Sequence, residues 1–341
     1  MNDERLNALL AAAGDVRLAV VGDYFLDRYG RGRISGVSRE TGRRILRLHT
    51  HTFSPGGTGN VAANAAAFGA SVAAVGVLGD DAYARTYRDD LAARGIDVSH
   101  LATDAGRHTA SFEKFLVERP GGALHEVRLD VDNRTPVSDR AAAALCASIE
   151  ALAGEVDGFA VADYEEYGAG TITPSVLDAI RAVARGGRVP CFAMSRTRIA
   201  DLVPCVPVQN EYEIVTELGA AEHDLFDAVP DDEVKRAVAL LIERGATGAY
   251  VTRGDRGISV FDGACAGRLV PTMAVTGATD TCGAGDTVLA VLAASVCAGA
   301  DPVEAACIAN AAARVTVRKL GTTGTATPDE IRDAVRGSEA G

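Results

Sequence analysis

Tryptophan is absent from this 341-residue chain and aromatic residues make up only 5% of it, so the core has to be assembled from Ala, Val, Leu and Ile. No uncharged apolar run reaches the 18 residues that a membrane-spanning helix needs, which argues against membrane insertion. The opening MNDERLNALLAAAGD carries acids and no long apolar stretch, unlike a secretory signal. Positive charge is scarce: 34 Lys and Arg stand against 46 Asp and Glu, for a net charge of −12. Such a surface repels nucleic-acid phosphates, yet it leaves room for a local positive pocket that holds a small phosphorylated molecule. The seven cysteines form no C-x-x-C pair, and several lie in apolar runs, which suits reduced thiols in a cytoplasmic setting.

What the chain does have is an alternation of short apolar runs and helical stretches. Strands are expected at Leu18–Gly22, Ser71–Leu78, Gly158–Ala162, Pro190–Met194, Val203–Val208, Gly248–Thr252 and Gly257–Phe261. Between or after them, helices are expected at Asn60–Gly69, Asp80–Gly95, Asp139–Leu152, Pro174–Ala184, Asp232–Arg244, Asp286–Ala298 and Pro302–Val317. This rhythm implies an α/β fold with a mostly parallel central sheet and helices on both faces. Two stretches break it. Arg44–Phe53 alternates like a half-exposed strand, and Thr109–Val131 reads as a hairpin around Pro120-Gly-Gly122. They predict a small antiparallel sheet, at about 32–54 and 107–132, attached as a lid to one domain spanning 1–341.

Four segments carry candidate chemistry. In Asp280-Thr-Cys-Gly-Ala-Gly-Asp-Thr287, the small residues Gly283, Ala284 and Gly285 open a helix, so backbone N–H groups and the helix dipole can hold an anion. Asp286 in that first turn could take the proton of a hydroxyl attacking a phosphoryl group, or could simply cap the helix. In Pro55-Gly-Gly-Thr-Gly-Asn60 the glycines permit close approach of a ligand, and Asn60 offers a donor and an acceptor to hydroxyls. The spacing Gly57-x-Gly59-x-x-Ala62 also mimics a dinucleotide fingerprint and so a nicotinamide-dependent oxidoreductase, but Pro55 is expected to break the strand that this fingerprint requires. Asp23 and Asp27 follow the first strand, at the sheet edge where ligands of open α/β folds sit; either could grip hydroxyls or bond its own loop. Asn210 and Glu213 could orient a hydrated Mg²⁺, or cap a helix.

Taken in order from about Leu18 to Val335, these segments resemble the ribokinase-like, PfkB-type carbohydrate kinase family. Within it, GDYFLDRYGRGRIS (22–35), EVRLDVDN (126–133) and ANAAARVTVRKLGTTGTATPDEI (309–331) are most similar to the domain that phosphorylates D-glycero-D-manno-heptose 7-phosphate at its anomeric oxygen. The resemblance implies an ATP-dependent kinase with Asp286 as base and Gly283–Gly285 as anion hole. It places Asp23, Asp27, Gly57, Asn60, Asn64, Arg128, Asp130 and Asp163 on the sugar side. It places Asn210, Glu213, Thr252, Arg253, Gly254, Gly257 and Asn310 on the nucleotide side. It further implies Mg²⁺ held through water by Glu213, a monovalent cation such as K⁺ beside Asp280, and a homodimer formed through the lid.

The chain departs from the family pattern at Met194, where an acid is usual, at Glu165 and Glu166, where a Lys is common, and at Arg314 and Arg318, which replace small residues near the expected adenine wall. These changes keep other acceptors open, among them another polyol, an aminosugar or a nucleoside. They also keep open a catalytically weakened binding protein of the same fold.

Overall fold

The computed structural model describes residues 1–118, 124–164, 168–219, 229–262 and 267–339. The turn expected at Pro120–Gly122 and the pair Glu165 and Glu166 lie outside these residues. In chain order the strands are β1 (Arg17–Gly22), β2 (Tyr24–Val37), β3 (Arg44–Gly57), β4 (Ser71–Leu78), β5 (Leu101–Thr103), β6 (Ser111–Glu118) and β7 (Leu124–Val131). There follow β8 (Gly158–Asp163), β9 (Cys191–Ser195), β10 (Val206–Asn210), β11 (Ala249–Thr252), β12 (Gly257–Phe261) and β13 (Arg268–Pro271).

Continuous apolar runs such as Leu18–Val21 and Phe159–Ala162 are buried on both faces, as central parallel strands require. They sit in a nine-stranded sheet of order β13-β12-β11-β10-β9-β8-β1-β4-β5, parallel except for the antiparallel edge pairings of β12 and β13. Helices Thr58–Phe68, Ala284–Cys297 and Pro302–Thr316 contribute to the core on one face, and helices Asp139–Leu152, Pro174–Gly186 and Asp231–Glu243 to the core on the other. From β1 the chain builds the sheet first toward β4 and β5, then in the other direction through β8. The strand order therefore reverses between β1 and β8, and the carboxyl ends of those two strands frame a crevice.

The second sheet, of order β3-β2-β6-β7, consists of two antiparallel hairpins joined by parallel pairing of β2 with β6. It reaches further than the expected lid, because β2 starts at Tyr24 and takes in Asp27, read from sequence as a loop position. Pro55 does not break β3, contrary to expectation. It pairs with Leu26 on an edge strand, where its missing N–H faces no partner strand. Ser54 to Gly57 are buried, but they run antiparallel in the small sheet rather than as a strand of a parallel βαβ unit, so the dinucleotide fingerprint lacks its setting. The strand expected at Val203–Val208 begins later, at Val206, after a 3₁₀ turn over Ile199–Leu202. Among the described residues no helix is long and apolar enough to cross a membrane.

Two Ala-rich helices set the geometry at the crevice. Helix Thr58–Phe68 and helix Ala284–Cys297 pack on each other through small side chains, including the fully buried Ala62, Ala65, Ala290 and Ala294, and their first turns meet beneath the small sheet. The exit from β1 is equally tight. Gly22 has φ of 149°, and a Cβ there would lie 1.9 Å from the carbonyl oxygen of Ala162. Replacing Gly22 by Ala should therefore force β1 and β8 apart and destabilise the protein by at least about 1–3 kcal/mol, read as a lowered thermal midpoint; an unchanged midpoint would show that the crevice tolerates widening.

Candidate active site

Gly283 precedes helix Ala284–Cys297 with φ of 80°, a conformation suited to glycine, and a Cβ on it would strike the Asn60 amide at 2.3 Å. The N–H of Ala284 is taken by the carbonyl of Thr281 at 3.1 Å, whereas those of Gly283, Gly285 and Asp286 have no acceptor among the described residues. The N–H groups left open at this helix start are therefore these three, and that of Ala284, expected to be among them, is already bonded. Asp286 is buried within the first turn. Its Oδ2 accepts from Asn60 Nδ2 at 2.7 Å and its Oδ1 accepts from the Tyr164 hydroxyl. Burial pushes its pKa above the usual aspartate value, against the two hydrogen bonds and the charges of Arg196 and Lys114. The result is a fixed, buried carboxylate more basic than one in water.

Three cavities meet around it. The central one, of about 240 Å³, is lined by Asp27, Gly57, Lys114, Glu213, Gly285 and Asp286, among others. On one side it shares Phe25, Phe112, Arg128, Tyr164 and Arg196 with a cavity of about 470 Å³ that also contains Asp23, Arg107, His108 and Asp130. On the other side it shares Thr252 and Gly285 with a more apolar cavity of about 320 Å³ that includes Gly254, Gly257, Ile258 and Asn310. Asp286 and its loop thus stand between a polar, arginine-rich chamber and an apolar one. Burial raises Asp27 to about 6, opposed by Lys114. Burial likewise raises Asp23 to about 6, joined by the charge of Asp163, and Glu213 to about 7.

A family model described as pfkB family carbohydrate kinase matches residues 17–330. The chain belongs to that family. It is an ATP-dependent carbohydrate kinase, and its mostly parallel sheet with a smaller second sheet is the ribokinase-like fold. Among curated relatives, the Bifunctional protein HldE of Pelobacter propionicus is 33% identical over 323 residues, covering 93% of this chain and 62% of that protein. The protein of the same name in Pseudomonas aeruginosa is 33% identical over 331 residues, covering 94% of this chain and 65% of the relative. The kinase therefore spans less than two thirds of the length of these relatives. Among solved structures, Arabidopsis thaliana ribokinase complexed with ribose and ATP superposes with a TM-score of 0.70 at 20% identity, covering 94% of this chain and 99% of the other. Phosphofructokinase-2 from Escherichia coli in complex with potassium gives 0.73 at 18% identity, covering 95% and 99%.

The geometry sorts the expected site residues of the kinase. Asp23, Asp27, Gly57, Arg128, Asp130, Asn210, Glu213, Thr252, Gly254, Gly257 and Asn310 all line the cleft. Asn60 reaches it through its bond to Asp286. Asn64 does not: it is fully buried behind Asn60, whose backbone carbonyl and Oδ1 accept from it at 2.9 and 3.0 Å, and it accepts from the Thr287 hydroxyl. Asp163 is also turned inward, bound to the Ser195 hydroxyl and to two nitrogens of Arg198, all at 2.8 Å. Arg253, expected at the nucleotide wall, is buried and ion-paired with Glu211 and Asp231. Asp280 accepts from the N–H groups of Cys282 and Gly321 and so ties the anion loop to a neighbouring loop. Asn210 does cap a helix, accepting from Glu213 N at 2.7 Å, while still facing the cavity.

Sequence reasoning missed Tyr164, Lys114 and Arg196. Lys114 lies on the cleft face of β6, 2.8 Å from Cys282 Sγ, and alternation within SFEKFLVE was the signal that could have placed it. Because the Asp163 side chain has no exposure, Arg198→Ala should strand a buried carboxylate. We expect a loss of about 3–5 kcal/mol of stability, measured by denaturant unfolding, with the KM for sugar little changed in whatever protein folds. A raised KM at unaltered stability would instead return Asp163 to the substrate side.

Proposed function

We propose that the kinase transfers the γ-phosphoryl group of ATP to a hydroxyl of an anionic sugar, and that the acceptor is D-glycero-D-manno-heptose 7-phosphate at its anomeric oxygen. The observation that carries the transfer is Asp286, a buried, doubly hydrogen-bonded carboxylate raised in pKa, beside unpaired N–H groups at a helix start. The acceptor hydroxyl would enter from the polar chamber, between Asp27 and Asn60, and give its proton to Asp286. Gly283, Gly285 and Asp286 N–H groups would bear the charge that develops on the transferred group. Lys114, from the small sheet, would add a cation once that sheet closes and excludes water.

Mg²⁺ would screen the phosphate charges when bound. Among the described residues no three potential ligands cluster, so its protein contact would run through water to Glu213, whose burial and pKa near 7 fit a carboxyl awaiting a cation. A K⁺ ion beside the Asp280 loop is part of the same proposal. Support for an acceptor that already carries phosphate comes from the chamber itself, where Arg107, Arg128, Arg196 and His108 converge. The resemblance of segments 22–35, 126–133 and 309–331 to heptose-phosphate kinases agrees with this reading. A homodimer through the small sheet is supported by exposed apolar side chains on it, Ile34, Val37, Leu129 and Val131. Cytoplasmic residence remains part of the proposal.

The test is ADP release from ATP–Mg²⁺ across sugars, sugar phosphates and nucleosides. We expect turnover with the heptose phosphate, and a fall of about 10²–10⁴-fold in Asp286→Asn with an unchanged melting temperature. Near-normal turnover in the variant would remove Asp286 as the base. Turnover confined to a neutral sugar would remove the phosphate-binding role of the chamber. Absence of both turnover and ATP binding would favour the non-catalytic alternative.

A further inference from the structure

Two strand ends meet where the central cavity opens to the nucleotide side. In the register of β10 against β11, Asn210 stands beside Thr252, and both line the central cavity with Glu213. Gly254 continues the wall on the apolar side. The residues that follow this pair, Glu211 and Arg253, turn away from the cleft. Neither lines any of the three cavities that meet there, and they bind each other, Arg253 Nε donating to Glu211 Oε2 at 2.6 Å. Successive side chains along a strand point to opposite sides, so this ion pair lies directly behind two cavity residues.

The Arg253 guanidinium is buried and committed on every side. Besides Glu211 it donates to the Ser259 hydroxyl at 3.3 Å, and to the carbonyl of Val229 and the carboxylate of Asp231, both at 2.8 Å. Glu211 accepts a further bond from Arg256. One planar side chain thus joins the end of β11, strand β12 and the starts of helices Glu211–Glu217 and Asp231–Glu243. A buried ion pair adds little stability over apolar residues of the same size, so such a fan of bonds matters more for the geometry it fixes. That geometry is the start of helix Glu211–Glu217, where Asn210 is the cap, Glu211 the first residue and Glu213 the carboxyl facing the cavity.

We propose that Arg253 is a positioning residue for the donor's divalent cation: by holding Glu211 it aims Glu213, and so sets how much more tightly the kinase takes nucleotide with Mg²⁺ than without. This rests on the reading of Glu213 as the carboxylate that reaches the cation through water. Arg253 itself touches neither nucleotide nor metal. Outer groups that orient a metal's ligands change its affinity by about 10–100-fold when they are removed. A residue that only packs the wall would instead weaken nucleotide alone and nucleotide with Mg²⁺ alike.

The experiment is calorimetric binding of ADP to the full chain with and without Mg²⁺, together with the Mg²⁺ dependence of turnover. It compares the wild type with Glu213→Gln and with Arg253→Lys, which keeps charge without the planar fork. A double variant, Arg253→Met with Glu211→Met, removes both buried charges and strands neither, so it should fold with a thermal midpoint close to that of the wild type. Glu213→Gln should lose about tenfold of the gain in ADP affinity that Mg²⁺ gives, and Arg253→Lys and the double variant should lose about as much. In the double variant binding of ADP alone should stay near the wild-type value, and raising Mg²⁺ about tenfold should restore turnover. A double variant that keeps the full Mg²⁺ gain would overturn the proposal, and so would one that loses affinity for ADP alone in the same proportion. If Glu213→Gln keeps the full gain, the reading of Glu213 fails and this inference with it, while sugar turnover leaves the kinase reading intact. Absence of ADP binding in the wild type removes the kinase reading and this inference together.

Discussion

The structure is organised around keeping one carboxylate ionised where burial opposes it. Asp286 is out of solvent at the start of a helix, and two donors, the Asn60 amide and the Tyr164 hydroxyl, offset part of that cost. Each donor is itself fixed. Asn60 is braced by Asn64, which is in turn braced by Thr287, the residue after the carboxylate. Tyr164 follows β8, whose end is anchored by Asp163 through Arg198 and Ser195, and its own N–H is held by Asp23 at 2.9 Å. Asn64 and Asp163, which at first look like sugar ligands, therefore stand one step back, in the frame that fixes the Asp286 carboxylate.

That frame explains the placement of the two Ala-rich helices and the glycines at the crevice. Small side chains let helix Thr58–Phe68 lie against helix Ala284–Cys297, which brings Asn60 across 226 positions of sequence to Asp286. The cleft then divides by chemistry. The arginine-rich chamber lies on the side of β2, β6 and β7, and the apolar cavity lies on the side of β11, β12 and the C-terminal helices. In a protein of net charge −12 the polar chamber brings Arg107, Arg128 and Arg196 together with Asp23, Asp130 and Asp132, so its charge is locally balanced rather than acidic.

Much of this was legible in the sequence for a local reason. The segments around Gly57 and Gly283 require backbone conformations or close approaches that glycine supplies, and the parallel strands are uninterrupted apolar runs, so motif and fold announce themselves without knowledge of partners. What stayed hidden depends on long-range orientation. Nothing local to Tyr164 tells that its hydroxyl meets a carboxylate 122 residues later, nor that Lys114 leans on the anion loop 168 residues away. Arg253, Asn64 and Asp163 were misplaced by the same gap: a position in a motif fixes where a residue stands and leaves open which way its side chain turns. Pro55 was misjudged because an edge strand can hold a proline that a central strand cannot.

The account stands or falls on Asp286 being the base whose proton affinity is set by its two donors. The most direct measurement is the pH dependence of kcat/KM for the wild type and for Tyr164→Phe. Activity should fall as pH drops through the pKa of the carboxylate, and that acidic limb should lie above the range of an ordinary aspartate, because burial raises it. Loss of the Tyr164 hydroxyl removes a bond that favours the ionised form, so the limb should move to still higher pH. A limb that does not move, or that moves down, would contradict the central claim.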